Sequence, residues 1–73
     1  SGAELDLLII KNGKRLGFEC KYTDRPKITP SMHIAIQDLK LDHLYVIFPG
    51  NITFPLSDKI TASGLQVISK LFT

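Results

Sequence analysis

The sequence has no tryptophan, one methionine and one cysteine. A single cysteine cannot form an internal disulfide, which excludes a disulfide-stabilised secreted scaffold. The strand position of Cys20 predicts a buried, reduced thiol, as expected in a reducing cytoplasm. Long hydrophobic runs are also missing, because the apolar stretches at 7–10 and 44–48 have the length of strands and not of membrane spans. We therefore expect a cytoplasmic domain with no membrane partner.

The chain also lacks an excess of charge of either sign. Nine Lys and Arg residues against seven Asp and Glu residues give a net charge of +2, so composition alone does not indicate nucleic-acid binding. With 73 residues of which 44% are hydrophobic, the chain is expected to fold as one domain. Its opening Ser1-Gly2-Ala3, directly before a strand, is typical of a piece of a longer protein.

The clearest pattern present is an Asn-Gly pair between two strand-like segments. Asn12-Gly13 separates the apolar run 7–10 from a run that ends in Glu19-Cys20-Lys21. Asn-Gly favours a type I′ turn, because both central residues of that turn need a positive φ. The register of the predicted hairpin then places Lys11 opposite Lys14, Leu7 opposite Phe18, Asp6 opposite Glu19 and Glu4 opposite Lys21.

This register gathers acidic side chains on one face of the hairpin. Strand alternation assigns one face to Glu4, Asp6, Glu19 and Lys21, and the other to Leu5, Leu7, Phe18 and Cys20. Opposed carboxylates repel each other at a cost of up to ~1 kcal/mol, which a bound cation would offset. We therefore predict a metal site at Asp6 and Glu19 with Lys21 beside it. Glu4 is either an extra ligand or the cross-strand partner of Lys21, and Gly17 is expected to leave room for a substrate on this face.

The rest of the sequence predicts one main helix and further strands. Thr29 is the expected N-cap and Pro30 the first residue of a helix that reaches about Lys40. Its apolar stripe consists of Met32, Ala35, Ile36 and Leu39, with His33, Gln37 and Lys40 on a polar flank. Residues 44–48 are typical of a buried central strand that pairs with the hairpin in parallel, 51–63 is turn-rich, and 65–69 alternates like a last strand. The order β-β-α-β-β predicts an α/β domain with a small mixed β-sheet, an N-terminal β-hairpin and one main helix.

Two carboxylates beside an ammonium group suit the hydrolysis of phosphodiesters. Mg²⁺ takes oxygen ligands, keeps several waters and offsets charge on a phosphate. The neighbouring Lys21 would orient or deprotonate the attacking water and stabilise developing negative charge. Salt bridges on a solvated sheet face explain the same residues, and this alternative stays open. His33 and His43 lack the spaced partners of a zinc site, and Tyr22 and Tyr45 are expected to close the core.

Asp6, then Glu19-x-Lys21 on a hairpin, then a helix that carries Gln37, resemble the PD-(D/E)xK nuclease superfamily of restriction enzymes and Holliday-junction resolvases. The segments 2–6, 19–22 and 44–50 are more closely similar to the C-terminal domain of uncharacterised function found in many prokaryotic AAA+ ATPases. This resemblance covers most of the chain. It departs from the superfamily pattern in Leu5, which replaces the proline of the motif, and in the preceding helix with its own acidic residue, which is missing from the 73 residues.

The resemblance implies a restriction-endonuclease-like core without its first helix. It also implies that Asp6 and Glu19 bind Mg²⁺ or Mn²⁺, that Lys21 is the catalytic lysine, and that Gln37 is a polar helix residue beside the site. The expected partners are DNA and the ATPase region of the same full-length chain. A non-catalytic domain that docks on the ATPase body is the second hypothesis, and a toxin-antitoxin or defence component that provides target specificity is a third.

Overall fold

The computed structural model describes residues 4–72. Its strands are β1 (Leu7–Lys11), β2 (Lys14–Cys20), β3 (His43–Phe48), β4 (Thr53–Ser57) and β5 (Ile60–Gly64), and its helices are α1 (Pro30–Asp38) and α2 (Leu65–Ile68), followed by a 3₁₀ turn (Ser69–Phe72). The strands form one mixed five-stranded sheet in the order β1-β2-β3-β5-β4. The predicted α/β class, with an N-terminal hairpin and one main helix, is confirmed.

The Asn-Gly turn closes the hairpin in the predicted register. Asn12 and Gly13 have φ values of 54° and 78°, the left-handed region that a type I′ turn requires at both positions. Leu7 pairs with Phe18 across the antiparallel ladder of β1 and β2. The second strand then pairs in parallel with β3, as predicted, and α1 lies in the connection between these two strands because a parallel pair needs a long crossover.

Helix α1 covers one face of the sheet. Pro30 occupies its first turn, and the preceding Thr29 has an extended backbone but caps no backbone N–H with its side chain. The main hydrophobic cluster is formed by buried residues of α1, of the connection after it, and of the central strands: Met32, Leu41, Leu44, Val46 and Ile60. At the C-terminal end of α1, Arg15 Nε donates a hydrogen bond of 2.9 Å to the carbonyl of Leu39 and so ties the helix to β2.

The last third of the chain differs from the prediction. The stretch interpreted as turns contains β4 and β5, and the predicted strand at 65–69 is helix α2 and the start of the 3₁₀ turn. Strand β5 was not predicted because it contains small residues, which do not give an apolar alternation. Its last residue must be glycine, because a Cβ at Gly64 would lie 2.2 Å from the Gly50 oxygen. Pro55 is tolerated in β4 because that strand is at the edge of the sheet. A short apolar alternation such as 65–69 does not distinguish a strand from one helical turn.

The opposite face of the sheet is covered only in part. Ile68 of α2 is buried on this face, whereas Leu7 of edge strand β1 is 53% exposed there. Within residues 4–72, no helix combines the length and the hydrophobicity that a membrane span requires.

Gly17 provides a test of the packing beneath α1. A Cβ at this position would lie 2.6 Å from Leu41 Cδ1 and 3.0 Å from Leu5 Cδ1, so the space predicted for a substrate is filled by core side chains. Gly17→Ala should therefore lower the free energy of unfolding by about 1 kcal/mol, because Leu41 must move within a packed core. Urea denaturation measures this change, and an unchanged midpoint would contradict the packing.

Candidate functional site

Strand pairing places Glu19 on the face of the sheet that α1 covers. The parallel register sets Gly17 beside Leu44 and Glu19 beside Val46, and residues paired in this way point to the same face. Leu44 and Val46 are fully buried, and Glu19 is only 6% exposed. The neighbouring Cys20 therefore points to the other face and is exposed, so the prediction of a buried thiol is wrong.

The Glu19 carboxylate is buried without hydrogen bonds. Neither Oε1 nor Oε2 accepts a hydrogen bond from the residues that the structure describes. The Lys21 ammonium lies beside it, with Nζ 3.1 Å from Oε2, while 40% of the Lys21 side chain remains exposed. A buried carboxylate is costly unless its oxygens are paired and hydrogen-bonded. Glu19 is therefore a strong acceptor that lacks partners on the inside of the protein.

Lys21 is positioned by the main chain of the neighbouring strand. Its backbone N–H donates a 2.8 Å hydrogen bond to the carbonyl of Ile47, which extends the pairing of β2 and β3 by one residue beyond Cys20. The ammonium forms its ion pair with Glu19 on the same strand. The predicted alternative, a pair between Lys21 and Glu4 across the hairpin, is not among the ion pairs of residues 4–72.

Asp6 reaches the site in a different way from the one predicted. The regular ladder ends at the pair of Leu7 and Phe18, and Asp6 lies in a bend before β1. Its N–H donates to the carbonyl of Phe18 at 3.0 Å, a bond that a continued ladder would not contain, because Asp6 and Glu19 would then form a non-hydrogen-bonded pair. The Asp6 carboxylate crosses to β2, where Oδ2 accepts the N–H of Cys20 at 2.7 Å. This backbone donor fixes the direction of the carboxylate.

The bend has a packing cause. Leu5 was predicted to lie on the face opposite Glu19, but it packs against the main hydrophobic cluster and comes within van der Waals reach of Gly17. Even partial burial of the Leu5 side chain is favourable, and this gain offsets the cost of interrupting the strand pairing by one residue. Leu5 therefore lies on the same face as Glu19, and strict alternation fails between residues 5 and 7.

These residues form one cleft at the open end of the hairpin, which we call the acidic cleft. It is lined by Glu4, Leu5, Asp6, Glu19, Cys20 and Lys21. Among residues 4–72 no group of three or more His, Cys, Asp and Glu side chains is close enough to hold a metal ion. Two carboxylates nevertheless fit Mg²⁺, which proteins often bind through one or two carboxylates while water and substrate oxygens complete its shell.

Gln37 is not brought to the acidic cleft. It lines a separate depression with His33 and Lys40, the polar flank that the helical spacing predicts, together with Asp42 and Lys59. This depression lies at the C-terminal end of α1, where Asp42 Oδ2 accepts the N–H of Arg15 at 2.7 Å. The catalytic role implied for Gln37 stays a prediction, and no contact among the described residues connects it to Glu19.

The remaining titratable and aromatic residues have other surroundings. His43 is half-buried, its Nε2 lies 2.6 Å from Thr61 Oγ1, and desolvation by burial lowers the pKa of its imidazole. Tyr45 stacks on Phe18 and closes the core as predicted, whereas Tyr22 is 94% exposed, so the same prediction for Tyr22 is wrong. The sequence did not predict that the Cys20 N–H donates a hydrogen bond to the Asp6 carboxylate. No sequence signal identifies such a donor, because every residue except proline carries one.

The fold and the site define a small mixed α/β domain with two carboxylates and a lysine at the end of a β-hairpin. Residues 1–68 match the family model of a domain of unknown function (DUF4143), and the chain belongs to that family. Two curated relatives, uncharacterised proteins of Mycobacterium tuberculosis and Mycobacterium bovis, are each 47% identical over 60 residues, which is 82% of this chain. The chain spans 14% of the length of these relatives. No solved structure matches it.

Proposed function

We propose that this chain is a metal-dependent phosphodiesterase domain of the PD-(D/E)xK type that acts on DNA. We also propose that it is the C-terminal part of a longer AAA+ ATPase. The observation that carries the proposal is the buried Glu19 carboxylate, which accepts no hydrogen bond from residues 4–72 and lies beside Lys21 in the cleft that also holds Asp6. A structural ion pair does not need a buried carboxylate, because an exposed pair costs less desolvation. A carboxylate that binds a cation, in contrast, needs oxygens that form no hydrogen bonds within the protein.

Four residues of the acidic cleft have a role in the proposed reaction. Asp6, held by the Cys20 N–H, and Glu19 would bind the cation. A bound Mg²⁺ or Mn²⁺ would supply charge neutralisation at the phosphate and an acidified water. In the hydrolysis, the water oxygen bonds to phosphorus, the ester P–O bond breaks and the leaving oxygen takes up a proton. Lys21 lies at the surface of the cleft, where its ammonium donates to a phosphate oxygen and stabilises the charge that develops there.

Metal binding is the first test. Mn²⁺ added to the protein should broaden the amide resonances around Asp6 and Glu19 before any others, at weak affinity because most ligands are waters. Asp6→Asn should remove the effect, since it deletes the charge but keeps a side-chain oxygen for the Cys20 N–H. The matched control is Asp58→Asn, an exposed carboxylate in the turn between β4 and β5. Uniform broadening, or broadening centred on Asp38 and Asp42, would count against the site.

One observation favours a second function, that of a non-catalytic docking domain. Edge strand β1 exposes Leu7 and Ile10, and an apolar strand at a sheet edge is a template for pairing with another segment. In this alternative the occupant is the ATPase region of the full-length chain, and Glu19 and Lys21 form only a structural pair. Ile10→Lys would then release the domain from the ATPase region, as judged by limited proteolysis between them, whereas Asp6→Asn would change nothing.

A further inference from the structure

Lys21 is shared by three depressions on one side of the molecule. One is the acidic cleft. The second, which we call the basic groove, follows the connection from β2 to α1 and is lined by Lys21, Thr23, Arg25, Pro26, Lys27 and Thr29. The third, which we call the apolar pocket, is lined by Cys20, Ile47, Phe48, Pro49 and Leu65, with Lys21 and Tyr22 at its edge. Any polymer that crosses Lys21 therefore meets all three chemistries in succession.

The basic groove has the character of a phosphate-binding surface. Arg25 and Lys27 are exposed, and the buried Pro26 between them anchors the connection to the body of the domain. The Arg25 guanidinium lies 5.1 Å from the centre of the Phe54 ring, a cation–π contact that restrains it without using its N–H donors. Within the described residues, neither cation forms an ion pair, so both are available to a phosphate group. Loops that carry cations and hydroxyls are the usual partners of a nucleic-acid backbone.

The apolar pocket has the character of a base-binding surface. Tyr22 is 94% exposed and Leu65 61% exposed, although both residue types are normally at least partly buried. They flank a depression with much more apolar than polar surface, next to the residue that would stabilise the scissile phosphate. Stacking of an unpaired base on an aromatic side chain is worth about 1–3 kcal/mol and does not depend on base identity. A base inside a duplex is not available for such contact.

The acidic cleft and the apolar pocket are each smaller than a typical small-molecule site, and the basic groove is at the lower limit of that range. They measure about 290 Å³ for the basic groove, 160 Å³ for the acidic cleft and 120 Å³ for the apolar pocket. Sites for a whole small molecule typically hold about 300–1,000 Å³ in one cavity. Three smaller, chemically different depressions around one lysine instead suit successive groups of one chain.

We propose that these three depressions form one binding track for a single strand of nucleic acid, with a base on Tyr22 in the apolar pocket, the scissile phosphate at Lys21 and flanking phosphates in the basic groove. This inference rests on the proposed function and adds its substrate class, namely a strand that is unpaired at the site of cleavage. Binding and cleavage are separable, because the groove and the pocket lie outside the carboxylates that would hold the metal.

The test measures binding by the full-length protein in EDTA, where no metal-dependent cleavage takes place. The probes are a short fluorescent oligothymidylate and a fluorescent DNA duplex of the same length, each titrated at several salt concentrations. Arg25→Gln/Lys27→Gln should weaken oligothymidylate binding about ten-fold or more and make the slope of log K against log salt less negative by about 1.4. The control Lys14→Gln/Lys59→Gln, which removes the same charge far from Lys21, should change the slope much less.

Tyr22→Ala should weaken oligothymidylate binding about 5- to 150-fold and duplex binding hardly at all, and Tyr22→Phe should restore the wild-type affinity. Equal effects of both double variants, or a Tyr22→Ala protein with unchanged preference for the single strand, would overturn the track. A protein that binds in this pattern but never cleaves would support the binding track and contradict the nuclease proposal. A protein that cleaves but does not bind in this pattern would support the nuclease proposal and contradict the binding track.

Discussion

Lys21→Ala is expected to lower Mg²⁺-dependent nicking of DNA by the full-length protein about 10²–10³-fold, the usual cost of losing one donor that stabilises developing negative charge. Removal of the ammonium also takes away the cation that is paired with Glu19. Binding of Mn²⁺ at the acidic cleft should therefore persist or become tighter. The variant would then lose activity without losing metal affinity, a combination that a misfolded variant cannot produce.

Two controls accompany this measurement. Lys14→Ala removes an exposed lysine at the other end of β2 and should keep full activity. Lys21→Arg retains the charge but replaces a compact ammonium by a planar guanidinium, and should recover only part of the rate. If Lys21 only pairs with Glu19, the Lys21→Ala protein cleaves as well as the wild type. The nuclease proposal fails if wild-type protein with Mg²⁺ or Mn²⁺ cleaves single-stranded, duplex and branched DNA no better than Asp6→Ala/Glu19→Ala.

Local rules predicted the hairpin and the central strand because they act over a few residues. The positive φ values of Asn12 and Gly13 follow from their side chains alone, and they set the register up to Leu7 and Phe18. Continuous apolar character identified β3 as a buried strand with a parallel partner. Pro30 marked the start of α1 correctly, although the helix ends at Asp38, two residues before the predicted limit.

The geometry of the site could not be predicted in the same way, because it depends on tertiary packing. Period-two alternation assigns relative faces but does not say which face the helix will cover. Once α1 packs over Gly17 and Val46, Glu19 becomes a buried residue and Cys20 an exposed one. The capture of Leu5 by the core then bends the chain at Asp6, so that its carboxylate bonds to the Cys20 N–H. The spacing placed Asp6, Glu19 and Lys21 near one another, but it predicted neither the burial of Glu19 nor the position of Gln37 away from the cleft.

The buried Glu19 carboxylate should lower the free energy of unfolding of the domain, as expected of a group that serves function and not stability. Glu19→Met replaces a buried carboxylate without hydrogen bonds by an apolar side chain of similar size beside Val46. In the absence of metal we expect the variant to be more stable by about 1–3 kcal/mol, because the desolvation penalty disappears. Hydrogen exchange of the β2 and β3 amides in the full-length protein measures this free energy locally.

The same variant should also lose any response to metal. A ligand that binds only the folded state stabilises it by about 2.7 kcal/mol at one hundred times its Kd, so Mg²⁺ should slow hydrogen exchange in the wild type and leave Glu19→Met unaffected. Asp42→Ala is the control of opposite sign: its carboxylate accepts the Arg15 N–H, and its loss should destabilise by about 0.5–1.5 kcal/mol. A Glu19→Met protein that is less stable than the wild type without metal would mean that the carboxylate supports the fold, and the docking alternative would then account for the site.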